Sequence, residues 1–136
     1  MIVGGDFNEP SHRDWIEKNK NLYDHNGFVV PWTVTTLLEE AGFIDSYRKI
    51  YPNPLTHPGF TYPSDNLAKT PEKITWAPKA DERDRIDFIF YKGKGLKAKK
   101  AVLLGPKESI VRSQRVKETS KDEFIVPLDV WPTDHK

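Results

Sequence analysis

The sequence predicts an α+β fold, a layered α/β sandwich with one β-sheet and flanking helices. Three observations carry this reading. A helix-periodic run extends from Thr33 to Ala41, an aromatic and β-branched run extends from Ile86 to Tyr91, and shorter apolar runs follow it. There is no repeating strand–helix–strand series and no glycine-rich phosphate loop.

The elements follow in order. Ile2-Val3-Gly4-Gly5 reads as the end of a buried strand in which glycine allows close backbone approach. Asn8-Glu9-Pro10-Ser11 is turn chemistry, and Asp14 can cap a short helix through Trp15, Ile16 and Glu17. Pro31 precedes the Thr33–Ala41 helix, Leu37, Leu38 and Ala41 give its apolar side, and Gly42 supplies the stop. Phe43 to Tyr51 reads as a second helix, ended by Pro52 and Pro54. Phe60-Thr61-Tyr62 is a short strand, and Asp65 to Glu72 a polar loop. Ile74-Thr75-Trp76 is expected to pair with Ile86–Tyr91. Ala101–Leu104 is a strand closed by Gly105-Pro106, Val111 to Glu123 a mobile loop, and Phe124–Val126 a short apolar run.

The composition bounds the function. With 136 residues the chain is the size of one domain. Its apolar content of 37% is low for a free-standing core, while 12% aromatic residues argue against disorder. The lack of cysteine excludes disulfides and thiolate metal sites. No run approaches the roughly 20 apolar residues of a membrane span. The first residues show no signal-peptide pattern, and the sequence assigns no compartment. Net charge is +1, but ten Lys/Arg between Lys92 and Lys121 face only Glu108 and Glu118. That segment is either a solvated Lys-rich surface or a landing site for a polyanion.

Three segments carry chemistry. In Gly5-Asp6-Phe7-Asn8, the period of two sends Asp6 and Asn8 to one side and Phe7 to the other. A carboxylate and an amide at a strand tip can orient a water and a phosphoryl oxygen; the same pair can also simply close an Asx turn. Asp87 sits in the apolar run Arg85-Ile86-Asp87-Phe88-Ile89-Phe90, where a carboxylate needs a partner. It either orients a basic group or pairs with Arg85 or Arg83. Asp134-His135 follows Trp131-Pro132. Adjacent residues share one site only at a strand tip or bend, which Pro132 favours. Asp134 suits Mg²⁺, which prefers oxygen ligands, and His135 suits proton transfer or a hydrogen bond to a phosphate oxygen. The competing reading is a polar tail. Trp76 and Trp131 could stack on a base or belong to the core.

The order and spacing of these segments resemble the C-terminal half of the endonuclease/exonuclease/phosphatase superfamily, the DNase I-like enzymes. Gly5-Asp6-Phe7-Asn8 matches its central motif, Arg85–Phe90 its second, and Thr133-Asp134-His135 its closing Ser-Asp-His with Thr for Ser. Gly42-Phe43-Ile44-Asp45 and His57-Pro58-Gly59-Phe60-Thr61-Tyr62 resemble intermediate segments. The resemblance implies Mg²⁺-dependent (or Mn²⁺-dependent) hydrolysis of a phosphate ester, nucleic acid included. Asp6 would orient or deprotonate the attacking water, Asn8 bind the phosphate, and Asp134 lie at the metal. His135 would stabilise developing charge, held and polarised by Asp87.

The resemblance also implies that residues 1–136 are the C-terminal part of one domain, half of a four-layer fold. The N-terminal half, with the metal-binding Glu, and the last strand would be absent. The missing layer, or self-association into a homo-oligomer, would then cover one sheet face. The alternative is a catalytically inactive remnant that binds a partner or self-associates.

Overall fold

The computed structural model describes residues 1–136. The first strand, β1 (Ile2–Asp6), is followed by irregular turns as far as helix α1 (Thr33–Glu40). The α1 boundary matches the expected helix, and Gly42 ends it with φ +82°. Trp32 offers this helix no side-chain cap. Glu9 does so from a distance: its two carboxylate oxygens accept the Thr33 and Val34 amides at 2.9 and 2.8 Å.

The expected second helix is shorter than its apolar spacing suggested. Ile44–Asp45 is extended as β2, and only Ser46–Ile50 is helical, as α2. Asp45 decides this. Its Oδ1 accepts the Tyr47 and Arg48 amides at 2.9 and 3.1 Å, and a capping residue must itself leave the helix.

β3 (Asp87–Tyr91) is the central strand of an antiparallel three-stranded sheet, between β1 and β2. Both of its edges are therefore taken, and Ile74–Trp76 does not pair with it. Phe88 and Phe90 are buried beneath the sheet, with the Phe7 ring 5.3 and 6.1 Å from theirs. On the opposite face the register places Ile2 and Ile44 across Tyr91, and Gly4 across Ile89. Ile2, Ile44 and Ile89 are 65%, 42% and 59% exposed, so β1 is not the buried strand its sequence suggested.

The remaining strands form two separate pairs rather than extending the sheet. β4 (Leu103–Leu104) runs parallel to β7 (Phe124–Ile125), and β5 (Glu108–Val111) forms a hairpin with β6 (Gln114–Lys117). The hairpin takes up Val111–Lys117 of the expected Val111–Glu123 loop, and Glu118–Glu123 remains irregular. The hairpin's two turn residues, Arg112 and Ser113, both have positive φ (48° and 58°), the geometry that tight hairpins require. Phe60–Tyr62 contributes only one bridge, Tyr62 to Asp84, and Asp14 heads turns rather than a helix.

A polar cluster lies beside the aromatic core. Arg85 donates to Asp14 at 2.8 Å and to both oxygens of Asp45 at 3.0 and 2.7 Å; Arg48 donates to Asp14 at 2.5 Å. All four residues are buried. The cluster joins the first loop, β2, α2 and the residues just before β3. No helix is long and apolar enough to cross a membrane.

Candidate active site

The site forms where β1 ends and β3 begins. Asp6 stands directly opposite Asp87 in the antiparallel register, so the two carboxylates leave the same face. Unshielded, two such charges would repel. The imidazole of His135 lies between them: Nδ1 is 2.9 Å from Asp87 Oδ2, and Nε2 is 4.0 Å from Asp6 Oδ2. Donor atoms of Asp6, Asp87 and His135 all lie within 4.8 Å of one another.

Each partner is fixed locally. Asn8 has φ +51°, and its amide donates to Asp6 Oδ1 at 2.8 Å, so the Asx turn is present and orients the Asp6 carboxylate. The Phe7 amide donates to Ile86 O at 2.9 Å, which extends the strand pairing past Asp6. Neither arginine near Asp87 pairs with it. Arg85 is committed to Asp14 and Asp45, and Arg83 to Asp81 and Glu118. That leaves Asp87 for His135.

Thr61 gave no signal as a site residue, yet it ties the parts together. It is buried, and its hydroxyl oxygen accepts the Ile86 and Asp87 amides at 3.1 and 3.2 Å. Its carbonyl accepts the Lys136 amide at 2.8 Å, next to His135. Ser64 donates to the Asp134 carbonyl at 2.7 Å. The loop after Thr61 therefore aligns the closing segment against β3.

The chain bends at Thr133 and Asp134, as expected after Pro132. The His135 amide donates to Thr133 Oγ1 at 3.3 Å, and the Trp131 indole donates to the His135 carbonyl at 2.5 Å. The Asp134 carboxylate accepts from Thr133 Oγ1 at 3.4 Å and stands outside the group of three. Partial burial opposes charge on His135. The hydrogen bond and field of Asp87, helped by Asp6 and Asp134, outweigh it and raise its pKa.

Asn8 and His135 open onto a cleft of about 330 Å³. The expected Trp76 lines it, whereas Trp131 borders a different cavity that Asp87 also lines. Trp15 and Trp32 also line this cleft, although neither carried a signal in the sequence. Beside them Asp84 accepts the Trp15 indole N–H at 2.8 Å, and loss of hydration pushes its pKa up to about 8.

Chemically, the arrangement offers carboxylate oxygens for a hard cation or a water, an imidazole biased towards its charged form, and an amide at the cleft edge. The model of the family described as Endonuclease/Exonuclease/phosphatase matches residues 1–135. The chain is similar to a Caenorhabditis elegans protein described as "Uncharacterized protein F14F9.5", 44% identical over 93 residues. The alignment covers 68% of this chain and 28% of that relative's length. No solved structure matches the chain.

Proposed function

Because the chain belongs to the endonuclease/exonuclease/phosphatase family, we propose that it carries the water-, phosphate- and histidine-binding side of a divalent-cation-dependent phosphodiesterase. The observation that supports this most is the convergence of Asp6, Asp87 and His135 at one pair of strand ends. Asp6 orients the attacking water and takes its proton. Asn8 hydrogen-bonds the phosphate. His135 places positive charge beside the oxygens on which negative charge develops, and Asp87 holds its ring. One water adds across the phosphorus–oxygen ester bond, and the departing alcohol oxygen takes up a proton.

Asp6, within the group of three, would offer carboxylate oxygen to Mg²⁺ or Mn²⁺, and Asp134, whose carboxylate stands outside that group, would approach the ion from the residue before His135. When bound, such an ion supplies charge neutralisation at the phosphate.

We further propose that residues 1–136 form the C-terminal part of one DNase I-like domain. Two observations support this: the exposed apolar face at Ile2, Ile44 and Ile89, and the much greater length of the worm relative. A second sheet, or a second copy of the chain, would cover that face. A clean, stable monomer on size-exclusion chromatography would count against this part of the reading.

The test is hydrolysis of bis(p-nitrophenyl) phosphate with Mg²⁺ or Mn²⁺, by this chain and by a longer parent with the upstream sequence. The expected result is metal-dependent turnover in the parent, lost in Asp6→Asn and His135→Ala. A parent with no turnover, or one indifferent to these substitutions, overturns the reading.

A further inference from the structure

The cleft beside His135 has an uncommon lining for a site that handles phosphate. Trp15, Trp32, Tyr62 and Trp76 contribute four aromatic rings, Glu82 and Asp84 contribute two carboxyl groups, and no Lys or Arg lines it. Three of the rings are held in place. Trp15 and Trp32 meet edge to face with centroids 5.3 Å apart, and His25 stacks on Trp15 at 3.9 Å. Tyr62 packs against His135 with ring centroids 5.3 Å apart, which joins the cleft to the proposed hydrolytic centre.

The polar groups are arranged around these rings. Asp84 accepts the Trp15 indole N–H, and the Trp32 indole nitrogen is buried with no hydrogen-bond partner. Glu82 accepts the Trp76 and Ala77 amides, both at 2.9 Å, which fixes its carboxylate beside Trp76. The Trp76 side of this arrangement is open: that residue is 87% exposed. Glu82 anchors the Trp76 backbone at the cleft mouth and leaves its large ring free to meet a ligand.

The sign of the lining is informative. Aromatic faces and carboxylates both attract cations, and a polyphosphate strand would meet two carboxyl groups with only His135, at the catalytic end, to offset them. The Lys-rich segment from Lys92 to Lys121 contributes nothing to this cleft. Resting on the phosphoesterase reading above, we propose that the cleft receives a small ammonium-bearing alcohol portion of the substrate. The phosphate would lie on the Asn8 and His135 side and the cationic nitrogen among Trp15, Trp32 and Trp76. Glu82 supplies the standing negative charge, and an ammonium nearby favours the ionised form of Asp84 as well.

Three of the chain's four tryptophans line this cleft, so indole fluorescence reports on it directly. The experiment titrates the chain with tetramethylammonium, and in parallel with its neutral isostere tert-butanol, at constant ionic strength. The expected result is a saturable fluorescence change with the cation alone. Binding weakens roughly fivefold or more in Trp76→Ala and falls in the isosteric Glu82→Gln. The exposed position of Trp76 lets its variant fold, which circular dichroism verifies. An equal response to tert-butanol, no saturable response, or affinity unchanged in both variants overturns the proposal. Saturable binding of adenosine monophosphate in place of the cation overturns it too. Binding needs no turnover, so the two readings fail separately. A parent that hydrolyses the nitrophenyl diester while the cleft ignores the cation refutes this inference alone. A cleft that takes the cation in a parent without any turnover refutes the hydrolase reading and leaves the cation site standing.

Discussion

His135 Nδ1 lies 2.9 Å from Asp87 Oδ2, although 48 positions separate the two residues in the chain. Asp87 both orients the ring and favours its protonated form. Replacing it with Asn keeps the shape and removes the charge. Asp87→Asn is therefore expected to lower the His135 pKa, read from its imidazole resonances in an NMR pH titration. Where the proposed diester hydrolysis is observed, the same change is expected to slow turnover on the order of 100-fold or more. An unchanged titration would show that Asp87 does not polarise the ring.

The raised pKa of His135 also has a stability consequence. The folded state holds its proton more tightly than the unfolded state does. The resulting stabilisation is fully present below the unfolded value of about 6.5 and is lost as pH rises through the folded value above it. Urea midpoints measured across this window should decline for the wild type. His135→Ala should flatten that part of the decline.

Asp84 acts in the same direction through a different cause. Loss of hydration raises its pKa from 3.8 to about 8, so the folded chain keeps a proton that the unfolded chain releases. Between those two values stability falls as pH rises. Asp84→Asn leaves an oxygen for the Trp15 indole and removes the titration. It is expected to stabilise the chain by on the order of 2 kcal/mol near the alkaline end of the window. Urea unfolding at both ends of the window checks this, with a gain expected only at the upper end.

Charge removal should be costly in the buried cluster and cheap at the surface. Asp45→Asn leaves Arg85 buried without its two-point partner, at an expected cost of about 3–5 kcal/mol. Glu39→Gln breaks the more exposed pairing with Arg13, where an ion pair contributes about 0–1 kcal/mol. Chemical denaturation of the two variants side by side gives the contrast.

Gly59 and Gly95 provide a backbone test. Both have positive φ (71° and 88°), so alanine at either position costs about 1–2 kcal/mol in backbone strain. A Cβ at Gly59 would also fall 2.5 Å from Tyr47 Cε1, whereas at Gly95 it meets open space. Gly59→Ala should therefore lose a further 1–3 kcal/mol or so from overpacking. Equal midpoints for the two variants would show that Tyr47 moves aside freely.

The sequence made the site's chemistry more legible than its framework. Asp6, Asn8, Asp87 and His135 stood out because polar groups beside short apolar runs are unusual, and their order matched a known pattern. Asp134 is equally visible as an oxygen ligand in the closing Thr133-Asp134-His135, yet its carboxylate stands outside the cluster that the strand ends form. The framework depended on contacts that spacing cannot show. Thr61 looked like a strand residue, but its hydroxyl accepts two amides 25 and 26 positions away. Asp45 looked like part of a helix because its capping role depends on backbone geometry. Arg112-Ser113 is not the Asn-Gly or Asp-Gly pair that announces a tight hairpin, so β5 and β6 were missed. The cleft is built from residues on irregular segments, where no periodicity records which side chains will meet.

The cluster of Asp14, Asp45, Arg48 and Arg85 is neutral as a quartet and charged in every trio. Any single charge-removing change passes through an intermediate with an unbalanced charge sealed from water. These four positions are therefore epistatically locked. Drift at one of them requires a matched change at another, and the route between two functional versions of this frame runs through paired replacements.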